Sequence, residues 1–222
     1  MSPTSQAQSR HENIIRSLIA DLEPVRPLPP PGRRALLWLA VVAALAFMLA
    51  AVADRPAALA RLTAAPDIWL AASGSALTMV LAAIAAFQLS LPDRNRLWAL
   101  LPMPASILWI GASGAGCLRA WVVPGTHAAV LDDSKDCIAF ILALGVPLSV
   151  LLLGMLRQGH TLQPGLTAVV AGFASAAAAA TLLVLFHPYD ASATDVVVHV
   201  VAVALVIIGN RALGGRLLRG AG

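Results

Sequence analysis

Six stretches of this sequence are apolar over the length of a membrane crossing, and that repetition leaves few folds open. A helix needs roughly 20 predominantly apolar residues to cross the hydrocarbon core of a bilayer. Runs at about 36–53, 68–91, 97–117, 137–156, 165–186 and 196–213 meet or approach that length. In lipid every backbone N–H and C=O must find a partner within the protein, so each run reads as a helix. The runs are continuous in Leu, Ala and Val rather than alternating, which argues against a transmembrane β-barrel. The expected fold class is therefore all-α: a polytopic integral membrane protein, a six-helix transmembrane bundle with a short amphipathic helix in an N-terminal segment outside it. The composition agrees, being 59% hydrophobic and 12% charged, against about 25% charged in soluble domains.

The isoelectric point near 10 raises the possibility of a nucleic-acid partner. The basic residues are scattered at the ends of the apolar runs instead of forming one patch, so direct nucleic-acid binding is not expected. Juxtamembrane charge accounts for them, and it orients the chain. Six spans put both termini on one side. Arg10, Arg16, Arg26, Arg33, Arg34, Arg94, Arg96, Arg157, Arg211, Arg216 and Arg219 fall on that side, eleven of the 15 cations. Arg55, Arg61, Arg119 and Lys135 fall on the other. The bias predicts that both termini are cytoplasmic. The expected division is a cytoplasmic segment at 1–34, a six-span domain at 35–213 and a basic cytoplasmic tail at 214–222. Ala51-Val52-Ala53 resembles a signal-peptidase site, but the polar and mixed residues ahead of the first span are too many for an ordinary leader. That span is read as an uncleaved anchor.

Residues 11–22, HENIIRSLIADL, form the one clear amphipathic stretch outside the spans. Ile14, Ile15, Leu18, Ile19 and Leu22 recur at helical spacing, opposite Glu12, Asn13, Arg16, Ser17 and Asp21. A helix this short is marginal alone in water and needs a surface for its apolar stripe. Five prolines between Pro24 and Pro31 then favour extended polyproline II over a tether at 24–31. A helix on a stiff spacer suits capture of a soluble partner in a groove. The alternative is a helix lying on the bilayer, which usually wants a more basic polar face.

The only two cysteines, Cys117 and Cys137, end the third run and begin the fourth. Charge counting places both at the outer face, where disulfides persist. Helices packed as neighbours lie 8–10 Å apart, whereas a disulfide needs Cα atoms about 4.4–6.8 Å apart. Facing cysteines near Gly114 and Gly116 could meet that. Closing the loop would contribute about 3 kcal/mol in the chain-entropy model. On chemistry alone, a permanent staple and a redox switch are both open. Soft thiolates also attract thiophilic metal ions, so Cys117 and Cys137 are candidate transient metal ligands. His127, Asp132, Asp133 and Asp136 lie near them in sequence, and His187, Asp190 and His199 belong to the next outer segment. A solvated acidic loop is the simpler reading of the carboxylates, and no resident cofactor is expected. Small residues four apart (Gly111/Ala115, Ala112/Gly116, Ala168/Gly172) allow close helix approach, in the bundle or in a dimer.

Several segments together resemble the NrsF-type (negative regulator of sigma F) membrane anti-sigma factors. They are ENIIRSLIADLEPVRPLPPP leading into RRALLWLA, GCLRAW around Cys117, DCIAFI around Cys137, and FHPYDAS at 186–192. The likeness runs from about residue 12 to 219. It implies a six-span inner-membrane protein that binds an extracytoplasmic-function sigma factor through its N-terminal segment. The partner-binding residues it implies are Ile14, Ile15, Leu18, Ile19, Asp21, Leu22, Pro24, Val25 and Arg26. It also implies that Cys117 and Cys137 sense oxidising or heavy-metal stress, and it shifts the balance from staple to switch.

Two other classes compete. A transporter usually places charged groups inside its spans; the most polar interior side chain noted among these runs is Gln88, so only a facilitator of neutral solutes would fit. A membrane thiol-disulfide oxidoreductase could use the two thiols, although they do not form a CxxC pair. The chain is not expected to be an enzyme.

Overall fold

The computed structural model describes residues 3–20, 28–122, 131–159, 161–186 and 193–218, and among these no strand occurs. The helices are α1 (Pro3–Ala20), α2 (Pro31–Val52), α3 (Arg55–Ala64), α4 (Pro66–Leu89), α5 (Met103–Val122), α6 (Leu131–Leu156), α7 (Pro164–Leu183) and α8 (Ala193–Gly209). A 3₁₀ turn at Arg96–Leu100 leads into α5, and a π-helical turn at Asn210–Gly214 extends α8. Six helical segments are long and apolar enough to cross a membrane: Pro31–Val52, Pro66–Leu89, Arg96–Arg119, Asp136–Leu156, Pro164–Leu183 and Val196–Leu217.

Local chemistry explains where these helices begin. Pro31, Pro66 and Pro164 open α2, α4 and α7, where a missing N–H costs nothing and the fixed φ is already helical. Pro30 sits at φ −51°, ψ 144°, in the polyproline II region expected for the end of the tether. Asp54 caps α3 by accepting from the Ala57 N–H at 3.1 Å.

α7 is the axis of the bundle. Almost its whole length is buried, including Ala174 and Ala176–Ala179, and α4, α6 and α8 all pack on it. α2 lies against α4 and α6, while α5 packs along α4 and meets α8 only lightly. Small residues set these distances. A Cβ on Gly74 would come within 2.8 Å of the Trp109 backbone nitrogen, so α4 and α5 approach at a position only glycine permits. A Cβ on Gly172 would sit 2.8 Å from the Asn210 Cβ and 3.0 Å from the Ile207 Cα. The Ala168/Gly172 pair thus serves internal packing of α7 on the last span. Gly111 and Gly114 have open space in the Cβ direction, and Ala115 is also exposed; Ala112 and Gly116 turn inward.

Contacts at the two ends fix the antiparallel order. At one end, here the tail end, α2 begins and α4 and α6 finish. The Thr161 and Thr167 hydroxyls donate to the Leu89 carbonyl at 2.8 and 3.3 Å, satisfying one of the acceptors that a helix C-terminus leaves open. At the opposite end α5 finishes beside the start of α4, where Arg119 pairs with Asp67 at 3.1 Å.

Candidate functional site

The N-terminal helix is longer than its apolar stripe alone suggests. It starts at Pro3, eight residues before the amphipathic stretch, because Thr4–Arg10 tolerates helix without contributing to the stripe. Ile14, Ile15, Leu18 and Ile19 share one face, and all are exposed, Leu18 at 63%. α1 forms no packed pair with any other described element. A run of four large aliphatic side chains held in water is costly: burying one contributes roughly 1.5–3 kcal/mol. The stripe is thus a surface in need of a cover. Asp21, Leu22, Pro24, Val25 and Arg26 lie outside the described residues, as does the first half of the tether.

Where the tether meets the bundle, two side chains fasten α2 to α6. The Arg34 guanidinium is 3% exposed and donates to the Met155 carbonyl. It also lies 5.1 Å from the centre of the Phe87 ring, a cation–π contact. One turn further on, the Trp38 Nε1–H donates to the Leu148 carbonyl at 3.3 Å. Residues four apart share a helix face, so both bonds leave α2 on the same side. Hydropathy alone does not reveal this attachment. Arg34 reads in the sequence as one more flanking charge, but the helix begins at Pro31 and carries it into the packed interior.

α6 connects that attachment to Cys137. The eighteen residue steps from Cys137 to Met155 rise about 27 Å at 1.5 Å each, nearly the thickness of a hydrocarbon core. Pro147 lies inside this helix; it removes one backbone N–H and kinks or loosens the ladder there. Cys137 is 7% exposed and packs among Ile141, Ala179, Leu183 and Ala202. Phe140 stacks at a tilt on Phe186, with ring centres 5.7 Å apart.

Cys117 stands apart from this cluster. It is half-buried on α5, one residue past the inward-facing Gly116 and two before the Arg119–Asp67 pair. No disulfide joins it to Cys137. The sequence reading placed the two cysteines on helices expected to pack as neighbours. α5 and α6 instead do not form a packed pair: α5 belongs to α4, and α6 to α7, α8 and α2. Adjacent spans in sequence are usually adjacent in space, and here α7 has inserted its small-residue surface at the centre instead.

Among the described residues no group of three or more His, Cys, Asp or Glu side chains could hold a metal ion. His127, His187 and Asp190 lie outside the described residues, and so do the side chains of Asp132 and Asp133. A polar pair missed in the sequence lies within the spans. The Asn210 side-chain amide donates to the Ser149 hydroxyl and to the Val206 carbonyl, both at 2.8 Å. Asn210 opens the π-turn, and such turns frequently mark positions where a helix makes room for a specific contact.

No curated protein and no solved structure shows a significant match to this chain. The family model described as "Negative regulator of sigma F" (NrsF) matches residues 18–219, beginning within the exposed stripe of α1 and running through all six long apolar helices. An all-helical chain with that reach and a long match to the model belongs to the NrsF family, the negative regulators of sigma F.

Proposed function

We propose that this chain holds an extracytoplasmic-function sigma factor at the bacterial inner membrane through its N-terminal segment. It releases the factor when Cys117 and Cys137 meet an oxidant or a thiophilic metal ion. Family membership supplies the coarser statement, an anti-sigma factor with a sigma factor as partner. The observation that carries the rest is the apolar stripe of Ile14, Ile15, Leu18 and Ile19, exposed and uncovered by the bundle. A groove on the partner supplies the missing surface, and the four aliphatic side chains are its anchors. The cation bias supports cytoplasmic termini, on the side where a sigma factor is found.

The separation of the thiols favours a switch over a staple. A staple needs cysteines already aligned for bonding, whereas these two sit on helices that do not pack together. Two-electron oxidation forms one Sγ–Sγ bond. Both thiol protons and two electrons pass to a peroxide, which leaves as two waters. Closing the bond draws α5 and α6 toward each other. α6 then carries the displacement along its length to Met155 and Leu148, where Arg34 and Trp38 attach the base of the tail. A thiophilic ion held by both thiolates would pull in the same direction.

The test uses the full-length protein in nanodiscs and a purified extracytoplasmic-function sigma factor from the same organism. Wild-type protein should retain the factor, and Ile15→Glu or Leu18→Glu should weaken retention at least tenfold, since each charge must be desolvated in the groove. Retention undiminished by both substitutions overturns the groove reading. A tail that instead binds protein-free anionic vesicles and ignores the factor favours the lipid-surface alternative.

A further inference from the structure

We infer that the open cleft lined by α3, α4, α5, α7 and α8 is a binding site for a single-chain anionic amphiphile of the long-chain fatty acid class. The site goes beyond the sigma-factor reading and does not depend on it. Its volume is about 610 Å³, within the roughly 300–1,000 Å³ of small-molecule sites.

The cavity follows from the packing already described. Gly74 lets Trp109 and the rest of α5 close onto α4, which draws α5 away from α8. The walls facing the resulting gap are short: Ala112 and Gly116 on α5, Ala180 on α7, Ala204 on α8. None of these side chains is long enough to fill it.

Its shape and polarity are graded along the bundle axis. On α8 the lining runs from Val196 to Ile207, a rise of about 16 Å. That is half of a hydrocarbon core about 30 Å thick, and so the depth of one leaflet. The inner end is apolar, closed by Trp109, Phe173 and Ile207. The mouth, at the end opposite the tail, carries Arg61, Asp67 and His199. Asp67 is matched by Arg119, while Arg61 makes no ion pair among the described residues. Among the described residues the mouth thus has a surplus positive charge above an apolar shaft. A soluble anion would leave the shaft dry and empty, and a neutral hydrocarbon would leave Arg61 unused. A carboxylate with one alkyl chain meets both ends, and the volume suits one chain better than the two of a phospholipid.

The test is photolabelling of the full-length protein in phosphatidylcholine nanodiscs by a long-chain fatty acid with a mid-chain diazirine, followed by peptide mapping. Labelling should saturate, yield to unlabelled oleic acid and centre on the peptides containing Trp109, Phe173 and Ile207. Ala112→Phe and Ala204→Phe, which fill the cavity from opposite walls, should each reduce it several-fold in protein that melts as wild type does. Arg61→Gln should weaken labelling by the acid and leave labelling by its methyl ester unchanged; this comparison stands even where a filling variant fails to fold. Labelling that rises linearly with probe and falls equally on Phe47 and Met48, exposed on α2, would show bulk solvation and overturn the site. So would a folded Ala204→Phe variant labelled as strongly as wild type. A diazirine phosphatidylglycerol that labels the cavity while the fatty acid does not would overturn the assignment to a single-chain ligand.

Discussion

The Arg34 guanidinium donates to the Met155 carbonyl, and this one bond ties the first turn of α2 to the last turn of α6. It places a buried cation at the junction of the N-terminal tether and the bundle, with the Phe87 ring as its second neighbour. The tail is therefore anchored where it joins α2. Its root is part of the packed interior.

Removing that cation should loosen the root. Arg34→Ala leaves the Met155 carbonyl without its side-chain partner, and an unpartnered buried polar group costs about 1–3 kcal/mol. The expected result is a lower melting temperature in detergent and earlier release of the sigma factor along an oxidant titration. Arg34→Lys should recover only part of this, because an ammonium lacks the planar fork that both donates and lies against a ring.

The two thiols should differ in reactivity. Cys117 is half-buried on α5 while Cys137 is enclosed by α7 and α8 side chains. Maleimide should therefore modify Cys117 first in the folded protein, with equal modification of both in denaturant. Cys117→Ser and Cys137→Ser should each retain the sigma factor through an oxidant challenge that empties the wild type. Normal release from either variant would sink the redox proposal.

Two glycines, one tightly packed and one open, should respond differently. Gly74→Ala pushes a methyl against the Trp109 backbone, and overpacking of this kind typically costs about 1–3 kcal/mol. Gly111→Ala meets open space and should change stability by less than about 0.5 kcal/mol. Thermal melts of the two variants, side by side, read the difference directly.

Asn210 offers a polar comparison inside the spans. Asn210→Ala gives up the bond to Ser149, and such bonds within bilayers average about 0.6 kcal/mol. Asn210→Asp instead places a carboxylate there, at an expected cost of about 2.5–3.5 kcal/mol near a span centre. Denaturant or heat unfolding should rank the variants in that order, and the reverse order would show that the π-turn, not the amide, governs the position.

Hydropathy located four of the six spans to within about three residues at both ends, because crossing a bilayer and being apolar are nearly the same requirement. The other two, the first and the last, are informative. α2 begins ahead of its apolar run at Pro31, and the last span runs past its own to Leu217. In both places arginines end the hydropathy signal but not the helix. The exposed stripe of α1 was legible because its spacing is local. Which spans pack together was not, because the apolar surfaces of six Leu/Ala/Val helices look alike in sequence. Steric fit at Gly74, Gly172 and the alanines of α7 decides it. The separation of Cys117 from Cys137, the burial of Arg34 and the cavity beside α5 all follow from that arrangement.

The alanine-rich surface of α7 has a mechanical meaning as well. Long side chains interlock neighbouring helices as ridges in grooves, and moving one past another requires the ridges to disengage. From Ala174 to Ala180 the central helix carries nothing larger than a methyl or a hydroxymethyl group. It behaves as a smooth spindle, around which the outer helices can slide or turn without first being pried apart.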